Sequence, residues 1–198
     1  MKISFSPPDM TELEVQGAAD AIKSGWITTG PKTKEFERRI AEFCHMKKAV
    51  CLNSQTACAE MALRLLGIGD QNNQNGGDSS DEVIVPAYTY TASASVVCHV
   101  GAKLVLIDSQ PDSLEMDYDA VAAAINENTK AIIPVDLGGV PCDYDRLFAI
   151  LEEKKHLFRP SNELQSTIGR VALCSDAAHA FGASYHGGMI GSIADFTS

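Results

Sequence analysis

Two rhythms of hydrophobic positions alternate along most of this chain. Short continuous apolar runs, bounded by glycine, proline or polar residues, predict buried strands at 47–53, 82–86, 103–108, 130–135 and 171–175. Between them, apolar residues recur at the spacing of one helical face and predict helices at 56–68, 90–100, 117–127 and 143–155. Apolar strands separated by helices imply a mostly parallel sheet flanked by helices, an α/β fold. Two helices come first. One runs from Asp9 or Thr11 to about Ser24, with Gly25 placed to end it; the other runs from Lys32 to about Cys44, with Phe36, Ile40 and Phe43 on one stripe. The pattern predicts one large domain over 1–198, with N-terminal helices at 9–44 and an α/β core at 47–198.

Two stretches break the alternation. Residues 70–81 are polar, glycine-containing and aperiodic, which predicts a mobile surface loop; their oxygens lack the spacing and terminal Glu of an EF-hand. Residues 156–170 read as an insertion before the last strand. Arg159 and Arg170 within it are candidates for pyrophosphate, with solvated surface as the favoured reading.

Composition narrows the partners. A formal net charge of −10 spread along the chain argues against nucleic acid and anionic membrane, which need a basic face. No run approaches the roughly 20 apolar residues of a membrane span, and Met1–Pro8 lacks a signal-peptide core. The six cysteines form no CxxC pair and fall mostly in apolar patterns, as expected of buried, reduced thiols in cytoplasm. There is no HExxH, so no metal site is expected.

The chemistry concentrates where the apolar strands end. Val171–Cys174 is followed by Ser175-Asp176-Ala177-Ala178-His179-Ala180, which puts an acid at a strand's carboxyl end, the edge where open α/β sheets bind ligands. One reading pairs Asp176 with the ring nitrogen of pyridoxal 5′-phosphate, because an ionised carboxylate keeps that nitrogen protonated, with His179 at the ring's oxygen side. The other makes Asp176 a cap for the next turn and His179 a satisfied, partly buried histidine. Ser54, Thr56 and the amide of Ala57 sit in a polar turn opening a helix, a phosphate-binding arrangement; Ser54 as an ordinary N-cap is the alternative. Tyr90, after the strand ending at Pro86, is placed to stack on a flat ring or to pack in the core. No GxxxxGK[ST], and no GxGxxG after a strand, offers a nucleotide instead.

In order and spacing, Gly25–Glu37, Asn53–Ala57, Pro86–Tyr90, Pro134–Asp143 and Asp176–Ala180 resemble the sugar-nucleotide aminotransferases of the DegT/StrS group, over essentially the whole chain. The resemblance implies the large domain of the aspartate-aminotransferase fold, without its C-terminal small domain. It further implies pyridoxal 5′-phosphate as cofactor, a homodimer, and transfer of an amino group from an amino-acid donor such as glutamate to a nucleotide-linked keto-sugar. Carried over by position, Ser54, Thr56 and Ala57 hold the phosphate, Tyr90 stacks on the ring, and Asp176 and His179 meet its nitrogen and oxygen sides. Trp26, Thr28, Thr29 and Gly30 lie near the sugar-nucleotide entrance.

Two departures stand out. Asp136 occupies a position where many relatives carry His, and no lysine follows Lys155, although the family's Schiff-base lysine comes shortly after a turn like Gly187–Gly191. The chain is therefore expected to be the front half of an enzyme and inactive alone. A dehydratase of the same family and a non-catalytic binding protein of this fold remain open.

Overall fold

The apolar runs assemble into a five-stranded sheet in which every neighbouring pair is parallel. A computed structural model describes residues 8–69 and 80–198, so most of the predicted 70–81 loop lies outside the described residues. The elements in order are α1 (Glu12–Lys23), α2 (Pro31–Phe43), α3 (Gln55–Leu65), β1 (Glu82–Pro86), α4 (Thr91–His99), β2 (Lys103–Ile107), α5 (Tyr118–Ala124), β3 (Thr129–Ile132), α6 (Tyr144–Lys154), α7 (Glu163–Ile168) and β4 (Ala172–Ser175). A small antiparallel hairpin, β5 (Ser184–Tyr185) and β6 (Gly188–Met189), precedes β7 (Phe196–Thr197). The strand order is β2-β1-β3-β4-β7. After β1 the chain steps outward to β2, then returns to the other side of β1 for β3, so the order reverses between β1 and β3.

Strand pleating divides the core in two. Val83, Val85, Ala131, Ile133, Ala172 and Cys174 face α3 and α4, meeting Leu63, Leu66, Val96 and Val97. Ile84, Ile132 and Leu173 face the opposite way, onto Tyr118, Val121, Tyr144, Leu147 and Leu151. Side chains alternate across a strand, and each fully buried Val, Leu or Ile contributes about 1.5–3 kcal/mol, so this alternation fixes the register. The expected α/β architecture is borne out.

Two expectations need correction and a third is refined. Residues 47–53 form no strand: Val50 and Leu52 are 60% and 42% exposed, and the Cys51 amide donates to Glu37 Oε1 at 2.8 Å. An apolar run signals strand propensity, but a strand also needs a neighbour, and here a side chain takes the amide instead. The 156–170 segment is largely exposed, Arg159 included, as expected of solvated surface, but it is anchored to the core and Arg170 is only partly exposed. Asn162 caps α7, and both Asn162 Nδ2 and Gln165 Nε2 donate to the Leu66 carbonyl at 2.8 Å, satisfying the end of α3. Arg170 forms a two-pronged ion pair with Asp195 at 2.8 and 3.0 Å, while Arg159 donates to the carbonyls of His156 and Phe158. Finally, Cys44, Cys142 and Cys174 are buried as expected, but Cys98 is exposed near the end of α4.

The first two helices sit apart from this core. A capping box at Thr11 and Glu14 starts α1, and Gly25, at a φ of 73°, follows its end. Yet α1 buries no residue, and Leu13 and Ile22 are 80% and 73% exposed. The Lys32 ammonium ties α2 to the Gly17 carbonyl of α1, and Phe43 stacks on Phe181 at 5.1 Å between centroids.

Candidate functional site

At the reversal between β1 and β3 the loops leaving neighbouring parallel strands diverge, and a cleft of about 230 Å³ opens there. It is lined by Gln55 and Thr56 from the start of α3, Thr89 and Tyr90 after β1, Val135 and Leu137 after β3, and Asp176, Ala178 and His179 after β4. Four of the residues singled out from the sequence, Thr56, Tyr90, Asp176 and His179, thus meet in one place.

Asp176 continues the pleat of β4. Its neighbours on the same face are Ala172 and Cys174, so its side chain emerges on the α3/α4 side, where the cleft lies. Only 6% exposed, it is held by the Ser93 hydroxyl, which donates to Oδ2 at 2.7 Å, and by the Ala178 amide, which donates to Oδ1 at 3.3 Å. The Thr89 hydroxyl lies 3.2 Å from that of Ser93, extending the chain to the loop after β1. Backbone bonds anchor the same residue on both sides: its amide donates to the Pro134 carbonyl at 2.9 Å and its carbonyl accepts from the Asp136 amide at 3.0 Å. A buried, hydrogen-bonded carboxylate of this kind keeps a fixed direction.

His179 is exposed, and the Gly138 amide donates to its Nδ1 at 3.2 Å. That bond makes Nδ1 the acceptor and leaves Nε2 to carry the proton of the neutral ring. Gly138 adopts a φ of 65°, which glycine reaches without strain and which aims this amide at the histidine. Tyr90 is the N-cap residue of α4 and is 79% exposed, so it is not the core residue its alternative reading required.

At the other end of the cleft, Ser54 caps α3 by accepting from the Ala57 amide at 3.1 Å. Ser54 and Ala57 do not line the cleft themselves; Thr56 and Gln55 do, on the first turn of an eleven-residue helix whose positive end faces that way. Replacing Ser54 with Ala is expected to lower stability by about 1 kcal/mol, read as a lower urea midpoint at unchanged slope. An unmoved midpoint would deny the cap any weight.

Trp26, Thr28, Thr29 and Gly30 lie outside the cleft lining. Trp26 Nε1 donates to the Thr29 carbonyl at 3.2 Å, and the indole covers buried Gly30 so closely that an added Cβ would fall 2.1 Å from Nε1. Sequence reasoning missed Ser93 and Thr89. Their only signal is a run of small hydroxylated residues in Thr89–Ser95.

Behind the strand end lies a second carboxylate. Asp136 is fully buried; it accepts from the Cys142 amide at 2.9 Å, from the Tyr144 hydroxyl at 2.8 Å and from the Ser175 hydroxyl at 3.0 Å. Burial pushes its carboxyl above the usual carboxylate range, against the lowering effect of these bonds.

The donor set suits a flat, phosphorylated, cationic ring: a helix N-terminus for an anion, an exposed aromatic on the rim, and an oriented carboxylate below. Fold and cleft together define the large-domain architecture of an aspartate-aminotransferase-like protein. The model of the DegT/DnrJ/EryC1/StrS aminotransferase family matches residues 8–198, and the chain belongs to that family. A putative sugar aminotransferase from Streptococcus pneumoniae, Spr1654, has the same fold at a TM-score of 0.93 and 53% identity over 100% of this chain and 47% of its own; its structures include forms with pyridoxal and pyridoxamine phosphate. The spore coat polysaccharide biosynthesis protein SpsC of Bacillus subtilis is 34% identical over 99% of this chain and 44% of its own length. An aminotransferase from Psychrobacter cryohalolentis superposes with a TM-score of 0.81 at 29% identity, over 98% of this chain and 44% of its own. The chain thus spans about half the length of the relatives it matches. The family read from the five sequence blocks is borne out.

Proposed function

We propose that this chain forms the cofactor-binding part of a pyridoxal 5′-phosphate-dependent aminotransferase that moves an amino group, from glutamate, onto a keto-sugar nucleotide. The observation that carries this reading is the buried Asp176 carboxylate, oriented by Ser93 and aimed into the same cleft as the start of α3. When bound, the cofactor supplies a protonated ring that draws electrons from the substrate carbon. Asp176 would keep the ring nitrogen's proton in place, Thr56 would receive the phosphate at the start of α3 while Ser54 shapes the turn by capping the Ala57 amide, and Tyr90 would cover one ring face. His179 offers its Nε2–H toward the ring's oxygen side.

Trp26, Thr28, Thr29 and Gly30 belong in this reading to the path of the sugar nucleotide. The exposed apolar residues of α1 and α2, Leu13, Ile22 and Phe36 among them, support a homodimer that covers them. The unpaired thiols support a cytoplasmic location, and among the described residues no helix is long and apolar enough to cross a membrane. Because no lysine follows Lys155, the chain by itself is proposed not to turn over.

Pyridoxamine phosphate requires no lysine for attachment, so it tests the cleft directly. Titrated into the protein, it is expected to give saturable fluorescence quenching that inorganic phosphate reverses. A signal that never saturates would remove the cofactor assignment.

A further inference from the structure

Asp136 faces away from the cleft, yet it is bound to the residue that lines it. The pleat sends Val135 and Asp176 toward α3 and α4, and Asp136 and Ser175 toward α6. On that hidden side the Asp136 carboxylate, the Tyr144 hydroxyl and the Ser175 hydroxyl form a closed triangle, with the two hydroxyl oxygens 2.7 Å apart. Every member is buried, and the Cys142 amide fills a further acceptor site on Asp136. The triangle ties the segment after β3 to the residue immediately before Asp176, while the two backbone bonds at Asp176 tie the same segments together across the ladder.

We infer that Asp136 is a positioning residue: through Ser175 and Tyr144 it locks the end of β4, so that the Asp176 carboxylate keeps its direction toward a cationic ring bound in the cleft. This rests on the proposed cofactor reading. A buried carboxylate satisfied by three different donors tolerates little displacement, because any shift leaves a charged oxygen unpaired. Asp136 touches neither the cleft nor anything bound there; it acts only by holding the strand end. The other titratable groups near Asp176 are Tyr90 from the start of α4, His179 from the turn after β4, and Cys174 one pleat back; α3 contributes Gln55 and Thr56, neither of which titrates.

The test uses pyridoxamine phosphate bound to the protein and follows the absorbance change as its ring nitrogen titrates. Asp136→Asn and the charge-neutral Ser175→Ala are each expected to lower the titration midpoint by about one pH unit, a tenfold loss of proton affinity. In an Asp176→Asn background both effects should vanish, since no carboxylate is left to misplace. A shift that persists there would mean that Asp136 acts through its own field and would overturn the inference. So would an unmoved midpoint in variants whose urea stability falls, which would leave a purely structural role. If Asp176→Asn itself titrates like wild type, the cofactor reading fails and takes this inference with it. If Asp176→Asn shifts the midpoint and the other two variants do not, this inference alone fails.

Discussion

On the proposed reading, replacing Asp176 with Asn, in a form of the chain that carries an attachment lysine, is expected to slow transamination about 10²–10³-fold while the cofactor still binds. Asn is nearly isosteric and can still accept the Ser93 hydroxyl and the Ala178 amide through its carbonyl oxygen, so the local structure should survive. What is lost is the negative charge. A carboxylate next to a cationic nitrogen shifts that group by about 1–3 pH units, and without it the ring is neutral near pH 7 and withdraws electrons poorly. Single-turnover rates measured at several pH values provide the check: the variant should recover partly as the pH falls and the ring regains its proton from solvent. Activity equal to wild type at pH 7 would refute the role given to Asp176.

The second large effect concerns stability. Removing the Asp195 carboxylate by Asp195→Ala is expected to cost about 3 kcal/mol. Two independent partners are stranded at once. Arg170, about one-fifth exposed, loses both prongs of its ion pair, and the Leu173 amide, which donates to Asp195 Oδ2 at 2.8 Å, loses its acceptor on a central strand. Arg170 also lies over the Phe148 ring, 5.1 Å from its centroid, so it cannot swing into water without uncovering apolar surface. Urea denaturation should show a much lower midpoint, whereas Arg38→Ala, on an exposed helix face, should leave the midpoint unchanged. Equal midpoints for the two variants would remove the special standing of the Arg170–Asp195 pair.

Much of the fold was legible because burial leaves a periodic trace. The runs at 82–86 and 171–175 read as strands, and the side chains of both are inside, down to Glu82 and Ser175. Asp176 was legible for a related reason, as the first charge after an apolar run. Residues 47–53 misled because their composition reports strand propensity but not a ladder partner, and here a glutamate from α2 takes the amide. Ser93 was invisible because its partner lies 83 residues away, and one hydroxyl in a small-residue helix resembles the next. The role of Arg170 was equally hidden: the sequence presents an arginine in a polar stretch, and only the fold brings Asp195 to it. Asp136 could be noticed as an oddity, but its burial and its link to Ser175 depend on which way the chain turns after β3.

Because successive residues of β4 look out on opposite sides of the sheet, the reading frame of this short strand matters more than its composition. Deleting one codon between Val171 and Ser175 would send the acid inward against Tyr144 and offer only the methyl group of Ala177 to the cleft. Evolution can exchange one apolar side chain for another of similar volume along this strand at little risk, but it can neither add nor drop a residue there without turning the machinery inside out.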